Sequence, residues 1–226
     1  MGTLQNISNS LMRTRFITNA FKLHTALVDH LFDIRYGLDT CRWARLSELT
    51  ISSTNKTRGQ NYQPTRMVAL RQLFSALKSQ IPPDSVLVDF GCGKGRVLMA
   101  ASEVGIREVR GIEFAHELYE IAKKNCAQYK TKKGFPTTYR IVEGDVIDYA
   151  INPDENVFFL FNPFDETVLT KVLHNITASL QAKPRRVWII YYYPDHANVI
   201  EQQGSFSRLQ EFMTWQHRFR VYSNGN

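Results

Sequence analysis

The chain has 226 residues, which suits one large domain or a domain with an extension. With 43% hydrophobic and 22% charged residues its composition is globular, and no apolar run approaches the roughly 18 residues that span a bilayer. Three cysteines without C-x-x-C spacing and scattered histidines argue against a disulfide framework and against a metal site. They fit a reducing, cytoplasmic compartment.

The positive charge is concentrated in the first third of the chain. Residues 1–80 hold 11 lysines and arginines against 4 acids, whereas residues 81–226 hold 17 of each, so the net charge of +7 comes entirely from the first part. A basic lobe of this kind suits an acidic macromolecule, such as a nucleic acid, an acidic protein or a membrane surface. The alternative is a solvated basic helix face without a partner.

The first 31 residues are predicted to form one or two helices, because apolar residues recur at three- to five-residue steps. This stripe consists of Leu11, Phe16, Ala20, Leu23, Leu27 and Leu31. Beyond it we expect a turn at Gly37 and a short helix through Ala44, capped by Asp39 or Thr40. Residues 51–61 are polar and rich in turn formers, which predicts an exposed loop.

The next predicted helix begins at Thr65, a suitable N-cap residue, directly after Pro64. Its apolar positions are Met67, Leu70, Leu73, Phe74 and Leu77. The helix leads into the first predicted strand of the sheet.

A glycine-rich turn follows the apolar run 86–88, which is typical of a buried parallel strand. Asp89 ends the run, and Gly91, Gly93 and Gly95 follow at every second position before a helical segment. The spacing G-x-G-x-G differs from the dinucleotide fingerprint G-x-G-x-x-G. The acid would repel a phosphate, but it suits a ligand that carries an ammonium group.

After this turn strands and helices alternate regularly, which indicates a parallel sheet. Strands are predicted over 108–113, 138–142, 156–161, 186–193, 206–213 and 216–222, and helices over 94–104, 115–129, 167–180 and 197–203. The residues that end or follow the second, third and fourth strands are Glu113, Asp145, Val146, Asn162, Pro163 and Phe164. Because parallel strands end at one edge of a sheet, we expect these residues at a single site.

Over residues 62–226 the chain resembles the class I S-adenosylmethionine-dependent methyltransferases, through the glycine-rich turn and the acids at three strand ends. Its G-x-G-K-G-R and N-P-F segments resemble uncharacterised bacterial members and, distantly, the non-SET histone-lysine methyltransferases. The resemblance implies an α/β fold with a doubly wound, mainly parallel seven-stranded sheet in the order 3-2-1-4-5-7-6 and a terminal antiparallel hairpin. Residues 62–226 would form this domain, and residues 1–61 a basic helical extension and lid.

The resemblance also implies the cofactor, S-adenosyl-L-methionine. Asp89 and the glycine turn would bind its methionine part, and Glu113 would accept hydrogen bonds from its ribose hydroxyls. Asp145, with Val146 beside it, would take the amino group of its adenine.

The segment from Tyr62 to Thr65 resembles the one that closes over the cofactor in several amino-group methyltransferases. Tyr62 and Thr65 are therefore assigned to the cofactor, with Thr65 near its carboxylate because a helix N-terminus attracts an anion. A plain capped helix is the alternative. The polar residues 51–62 are predicted to form a lid that orders on cofactor binding, with Arg58 and Tyr62 at the acceptor entrance.

The segment Asn162-Pro163-Phe164 resembles the [DNS]-P-P-[FYW] motif of enzymes that methylate amino or amide nitrogen, with one proline missing. The resemblance implies that Asn162 accepts a hydrogen bond from the acceptor nitrogen and that Phe164 packs against the substrate. The altered loop means that a nucleobase acceptor cannot be carried over, and a lysine-like amine on a protein is favoured.

Alternatives to this interpretation remain open at the level of sequence. The loop could be an ordinary strand-ending turn, the acceptor could be RNA or a small molecule, and the protein could be a non-catalytic scaffold that binds the cofactor. His196 follows the fifth strand, where it could accept a proton or be a polar loop residue.

Overall fold

The computed structural model describes residues 2–161, 164–214 and 217–225, and the side chains of these residues except 2–18 and 214. The helices are α1 (Gly2–Tyr36), α2 (Met67–Leu77), α3 (Arg96–Glu103), α4 (His116–Lys133), α5 (Glu166–Ala182) and α6 (Ala197–Gln202). The strands are β1 (Val86–Phe90), β2 (Glu108–Glu113), β3 (Thr138–Glu143), β4 (Val157–Phe161), β5 (Trp188–Tyr192), β6 (Ser207–Thr214) and β7 (His217–Ser223). Within these ranges no helix has both the length and the hydropathy needed to cross a bilayer.

One sheet contains these seven strands in the order β3-β2-β1-β4-β5-β7-β6, which confirms the predicted topology. β1 to β5 run parallel, whereas β7 is antiparallel to both β5 and β6. The strand order reverses between β1 and β4. In a doubly wound sheet such a reversal opens a crevice at the carboxyl ends of the strands, which is where ligands bind.

Helices cover both faces of the sheet, and alternate residues of each central strand pack on opposite sides. Leu87 of β1 packs with α2, α3 and α4, whereas Val88 and Phe90 pack with α5. β4 alternates in the same way, with Phe159 on the first side and Phe158 on the second. Both faces of β1 and β4 are therefore buried, and these strands give the crevice a rigid support.

α1 is a single helix, and the predicted short helix through Ala44 is wrong. The chain leaves α1 at Gly37, whose φ of +66° ends the helix. The Asp33 carboxylate then accepts hydrogen bonds from the backbone N–H groups of Thr40 and Cys41, at 2.7 and 2.8 Å. These bonds hold the chain in a turn, and only two 3₁₀ turns follow before α2, Leu46–Glu48 and Thr54–Arg58.

The predicted capping role of Thr65 is also wrong, because α2 begins at Met67. Its first N–H group donates instead to the carboxylate of Asp29, which comes from α1 and is 3.0 Å away. The carbonyl of Thr65 accepts a hydrogen bond from the Arg96 guanidinium at 2.8 Å. A cap supplied by a distant helix leaves no signature in the local sequence. The first residue of α2 could therefore not be predicted from the residues around it.

Candidate functional site

A cavity of about 620 Å³ lies at the carboxyl ends of the central strands. One wall is formed by the segment that precedes α2, and the floor by the glycine-rich turn. The residues that line it are Trp43, Leu46, Leu49, Gln60, Asn61, Tyr62, Gln63, Thr65, Asp89, Gly91, Cys92, Gly93, Arg96, Val97, Glu113, Phe114, Leu118, Phe161, Tyr193 and Asp195. The cavity therefore contains most of the residues that the sequence assigned to a cofactor.

The glycine-rich turn requires glycine for two reasons, which are its backbone conformation and the close approach of a neighbouring side chain. Gly91, Gly93 and Gly95 have φ values of +79°, +53° and +85°, a region that residues with a Cβ rarely adopt. A Cβ on Gly93 would also lie 2.3 Å from the ring of Tyr62. The turn brings backbone N–H groups close to the cavity, and Gly95 leads directly into the first turn of α3.

Two buried carboxylates, Asp89 near the end of β1 and Glu113 at the end of β2, line this cavity. Glu113 accepts hydrogen bonds from the N–H groups of Gly93 and Ala115, at 2.8 and 3.0 Å. Burial raises the pKa of Glu113 to about 7, against the effect of these hydrogen bonds. Burial, and then the charge of Glu113, raise the pKa of Asp89 well above its usual range. Both groups favour a ligand with hydrogen-bond donors.

A smaller cavity of about 40 Å³ adjoins the first, with Gly91 and Phe114 common to both. Its other lining residues are Asn55, Arg58, Gly59, Ile112, Asp145, Val146, Phe164 and Val168. The Asp145 carboxylate accepts hydrogen bonds from the side chains of Ser53 and Asn55, the latter at 2.9 Å. This narrow, mainly apolar slot with one carboxylate has the chemistry that a purine carrying an amino group requires.

The segment 53–59, within the predicted lid, covers this slot and is bonded to the residues between β4 and α5. Besides the bonds to Asp145, Arg58 forms an ion pair with Asp165, at 2.5 Å, and Gly59 forms a backbone bridge with Phe164. Asp165 in turn caps α5 through the N–H groups of Thr167 and Val168. Ordering of this segment on cofactor binding stays a prediction.

The structure places the remaining predicted residues as follows. The ring of Tyr62 lies against the glycine turn, and its hydroxyl donates to the carbonyl of Thr40 at 2.8 Å. Thr65 is buried beside the larger cavity. Phe164 is buried at the slot beside Asp145, whereas Asn162 and Pro163 lie outside the described residues.

Residues at the far side of the cavity were missed as site residues. Tyr193 and Asp195 follow β5, Phe161 ends β4, and Trp43 lines the cavity from the segment before α2. Tyr193 has φ +47°, a conformation that costs free energy for a tyrosine and is held here by tertiary contacts. The sequence predicted that β5 ends at the same sheet edge as β4. The residues after β5 could have been assigned to the site on that basis.

His196, which the sequence left open as a proton acceptor, does not line either cavity. Its Nδ1 lies 3.2 Å from the carboxylate of Glu166 at the start of α5. In the part of the chain that the structure describes, no three His, Cys, Asp or Glu side chains come together as a metal site.

Arg96, directly after the glycine turn, is the second group that sequence reasoning missed. It is 2% exposed, and its guanidinium contacts Asp29, Thr40 and the carbonyl of Thr65 at 3.1, 2.9 and 2.8 Å. The hydroxyl of the same Thr40 donates a hydrogen bond to the carboxylate of Asp33. This network joins α1 and the segment before α2 to the turn, so the N-terminal residues are part of the site's support.

Comparison with known proteins concerns both sequence and fold. Residues 88–187 match a protein-family model described as "Methyltransferase domain". A search of curated proteins gave no match. Many solved structures share the fold, among them an RNA methyltransferase from Salinibacter ruber in complex with S-adenosyl-L-homocysteine. It has a TM-score of 0.54 and 18% identity, over 72% of this chain and 94% of that one.

Two further structures have the same fold. The magnesium protoporphyrin IX methyltransferase of Synechocystis PCC 6803, solved with bound S-adenosylmethionine, has a TM-score of 0.54 and 14% identity, over 70% of this chain and 79% of that one. The tRNA methyltransferase TrmK of B. subtilis has a TM-score of 0.53 and 13% identity, over 68% of this chain and 65% of that one. At these identities the likeness concerns the fold.

Proposed function

Because this chain is a class I S-adenosylmethionine-dependent methyltransferase, we propose that it transfers the methyl group to a nitrogen, with a lysine-like amine on a protein as the acceptor. The carrying observation is the chemistry of the cavity on the side of β4 and β5. There the rings of Phe161 and Tyr193, with centroids 5.9 Å apart, line the cavity together with Asp195, and Trp43 lines the same cavity from the segment before α2. Aromatic faces attract cationic groups, and a carboxylate can pair with an ammonium ion.

The sheet order supports a division of the cavity into two ends. Glu113 and Asp145 follow β2 and β3 on one side of β1, whereas Phe161 and Tyr193 come from the ends of β4 and β5 on the other side. S-adenosylmethionine carries an ammonium group, a ribose diol and an adenine amino group, all of them hydrogen-bond donors. Asp89, Glu113 and Asp145 offer three carboxylates to match, so the residues present fit the cofactor.

The chemistry assigned to the chain is mainly positioning. The bound cofactor supplies an electrophilic methyl group on a sulfonium sulfur. The aromatic residues and Asp195 would hold the acceptor nitrogen with its lone pair directed at that carbon, an alignment that accounts for much of the rate gain in such displacements. Asp195 would also accept the proton that the amine must lose, and Asn162 is proposed to accept a hydrogen bond from the same nitrogen.

Labelled methyl transfer tests this function. The purified protein is incubated with [methyl-³H]S-adenosylmethionine and a cell lysate, and the label is followed after protease or ribonuclease digestion. We expect label in the protease-sensitive fraction, with methylated lysine after acid hydrolysis. Asp195→Asn should reduce the label by about tenfold or more, because a charge-assisted contact is lost. His196→Ala, a matched change outside the cavity, should not.

An RNA acceptor is the second candidate. It is favoured by the charge of residues 1–80 and by the RNA and tRNA methyltransferases among the proteins of the same fold. Label that is lost on ribonuclease treatment and retained on protease treatment would replace the amine proposal with this one. Absence of label in every fraction, with intact cofactor binding, would instead indicate a scaffold.

Cofactor binding should tighten with pH. Ribose hydroxyls donate to the ionised form of Glu113, whose pKa is raised to about 7 by burial. The ionised fraction rises from about 0.09 at pH 6 to about 0.91 at pH 8, so the affinity for S-adenosylhomocysteine should increase about tenfold. Isothermal titration at the two pH values measures this change, and Glu113→Gln should flatten it. Equal affinity of the wild type at both pH values would contradict the assignment.

The raised pKa of Glu113 makes the stability of the cofactor-free protein fall with pH, whereas cofactor affinity rises with pH. A carboxyl whose folded pKa exceeds its unfolded value contributes stability that is present below pH 4.5 and is lost as the pH rises through 7. The cofactor-free protein should therefore unfold at a lower urea concentration at pH 8 than at pH 6, and added S-adenosylhomocysteine should reduce this difference.

A further inference from the structure

A group of stacked aromatic rings connects the terminal hairpin to the larger cavity. The ring of Phe219 in β7 stacks on that of Tyr192 in β5, with centroids 4.3 Å apart and planes inclined by 15°. Tyr192 in turn stacks on Tyr193 at 4.3 Å and contacts Phe161 at 4.5 Å. Phe219 and Tyr192 are buried, whereas Phe161 and Tyr193 line the cavity. The two cavity rings therefore rest on a buried aromatic layer.

The backbone of Tyr193 does not by itself hold its ring in place. Its φ of +47° is a conformation that costs free energy for a residue with a Cβ, and it persists only where surrounding contacts enforce it. One such contact is made by the backbone N–H of Tyr193, which donates to the carbonyl of Arg218 in β7 at 2.9 Å. The position of the Tyr193 ring thus depends on the hairpin that follows it in the chain.

His217, the first residue of β7, contacts the hydroxyl ends of both tyrosines. Its Nδ1 lies within hydrogen-bond distance of the hydroxyl oxygens of Tyr192 and Tyr193, the latter at 3.1 Å. The ring centroid of His217 is 5.7 Å from that of Tyr192 and 6.1 Å from that of Tyr193. His217 itself lines neither of the two cavities. Its influence on a bound substrate therefore passes through Tyr193.

The protonation state of His217 suits this contact. Burial, and then the nearby guanidinium of Arg66, lower the pKa of His217 against the opposing charge of Asp29. Arg66 and Asp29 form an ion pair with each other at 2.9 Å. The imidazole is therefore neutral at neutral pH, and with its proton on Nε2 it leaves Nδ1 free to accept a hydrogen bond from a hydroxyl. Another side chain with an acceptor atom at this place should be able to replace it.

We propose that His217 is a positioning residue for methyl transfer, which holds the Tyr193 ring against the methyl acceptor. The inference rests on the proposed use of the β4 and β5 side of the cavity by the acceptor. Displacement of a positioning group by about 1 Å can slow a reaction on the order of a hundredfold. The other role open to His217 is to stabilise the hairpin alone, which would affect folding but not the rate of transfer by the folded protein.

Two variants of the full chain separate these roles. His217→Phe keeps an aromatic ring without an acceptor atom, whereas the side-chain carbonyl oxygen in His217→Asn can take the place of Nδ1. Each protein is incubated with saturating [methyl-³H]S-adenosylmethionine and a dilution series of cell lysate, and the label in all macromolecules is counted. We expect His217→Phe to lower the maximal rate about tenfold or more, and His217→Asn to restore most of it. Both variants should bind S-adenosylhomocysteine with the wild-type affinity.

The matched control is Arg220→Met in the same strand. Arg220 pairs with Glu211 of β6 at 3.1 Å and with Glu201 of α6 at 3.3 Å. Its loss weakens the attachment of the hairpin but removes no side-chain contact of Tyr192 or Tyr193. Arg220→Met should therefore lower the urea midpoint of unfolding slightly and leave the maximal rate unchanged.

The rates decide between the two roles of His217. An unchanged rate in His217→Phe, an equal loss in His217→Phe and Arg220→Met, or a His217→Asn rate as low as that of His217→Phe would overturn the proposal. A wild type that transfers no label would overturn it as well. Label in the ribonuclease-sensitive fraction would replace the lysine-like acceptor of the proposed function, while the same comparison of rates would still decide the role of His217.

Discussion

Replacing Arg96 by methionine is expected to lower the free energy of unfolding by about 3–5 kcal/mol, because it breaks a buried ion pair and leaves Asp29 with Arg66 as its remaining cation. Arg96 is 2% exposed and contacts Asp29 at 3.1 Å, and Asp29 is itself buried. The carbonyl of Thr65 would also lose its hydrogen bond. Urea unfolding followed by circular dichroism measures the change in the presence and absence of S-adenosylhomocysteine.

Arg208→Met provides the comparison for this variant. Arg208 pairs with Glu211 at 3.5 Å on the surface, with half of its side chain exposed, so its loss should cost less than about 1 kcal/mol. If Arg96→Met and Arg208→Met destabilised the protein equally, the network between α1 and the glycine turn would contribute nothing beyond a surface ion pair.

Removing the Glu113 side chain should weaken S-adenosylhomocysteine binding by about 1.5–3 kcal/mol, which is about 10- to 150-fold, because hydrogen bonds to a charged group are lost. Asp89→Ala should have an effect of the same order, since Asp89 lines the same cavity as Glu113. Isothermal titration at pH 8, where Glu113 is mostly ionised, measures both variants.

The control for these two variants is Glu143→Ala. Glu143 ends β3, the strand next to β2, and pairs with His116 at the surface outside both cavities. Its removal should change the affinity by less than about twofold, as is usual for an exposed ion pair. Wild-type affinity in both Glu113→Ala and Asp89→Ala would place the cofactor elsewhere.

The sheet could be predicted from sequence because β1, β4 and β5 are mainly apolar runs followed by turn residues, and β2, which also contains Glu108 and Arg110, ends in an acid. Val86 to Val88, for example, are buried on both faces and are followed at once by the glycine turn. The acids at the ends of β1 and β2, and the one just after β3, line the two cavities because parallel strands end at a common edge. These features depend on residues that are close in the chain.

The N-terminal third could not be predicted in the same way, because it is held by contacts between distant residues. Asp29 caps α2 across 38 positions of sequence, and Arg96 reaches Thr40 across 56. Asp33 stabilises a turn at Thr40 where the local residues favour a helix. The acceptor side of the cavity was missed for a related reason, since Trp43 and Tyr193 line one cavity only after the sheet has formed.

The backbone bridge between Gly59 and Phe164 has a consequence for the order of events in a catalytic cycle. The segment 53–59 that covers the slot beside Asp145 is attached, through this bridge and the Arg58–Asp165 pair, to the chain just after β4. Any movement that exposes the slot must first detach from the residues next to the proposed methyl acceptor. The used cofactor can thus leave only when the acceptor site also rearranges. This coupling favours kinetics in which the cofactor binds before the acceptor and leaves after the methylated product.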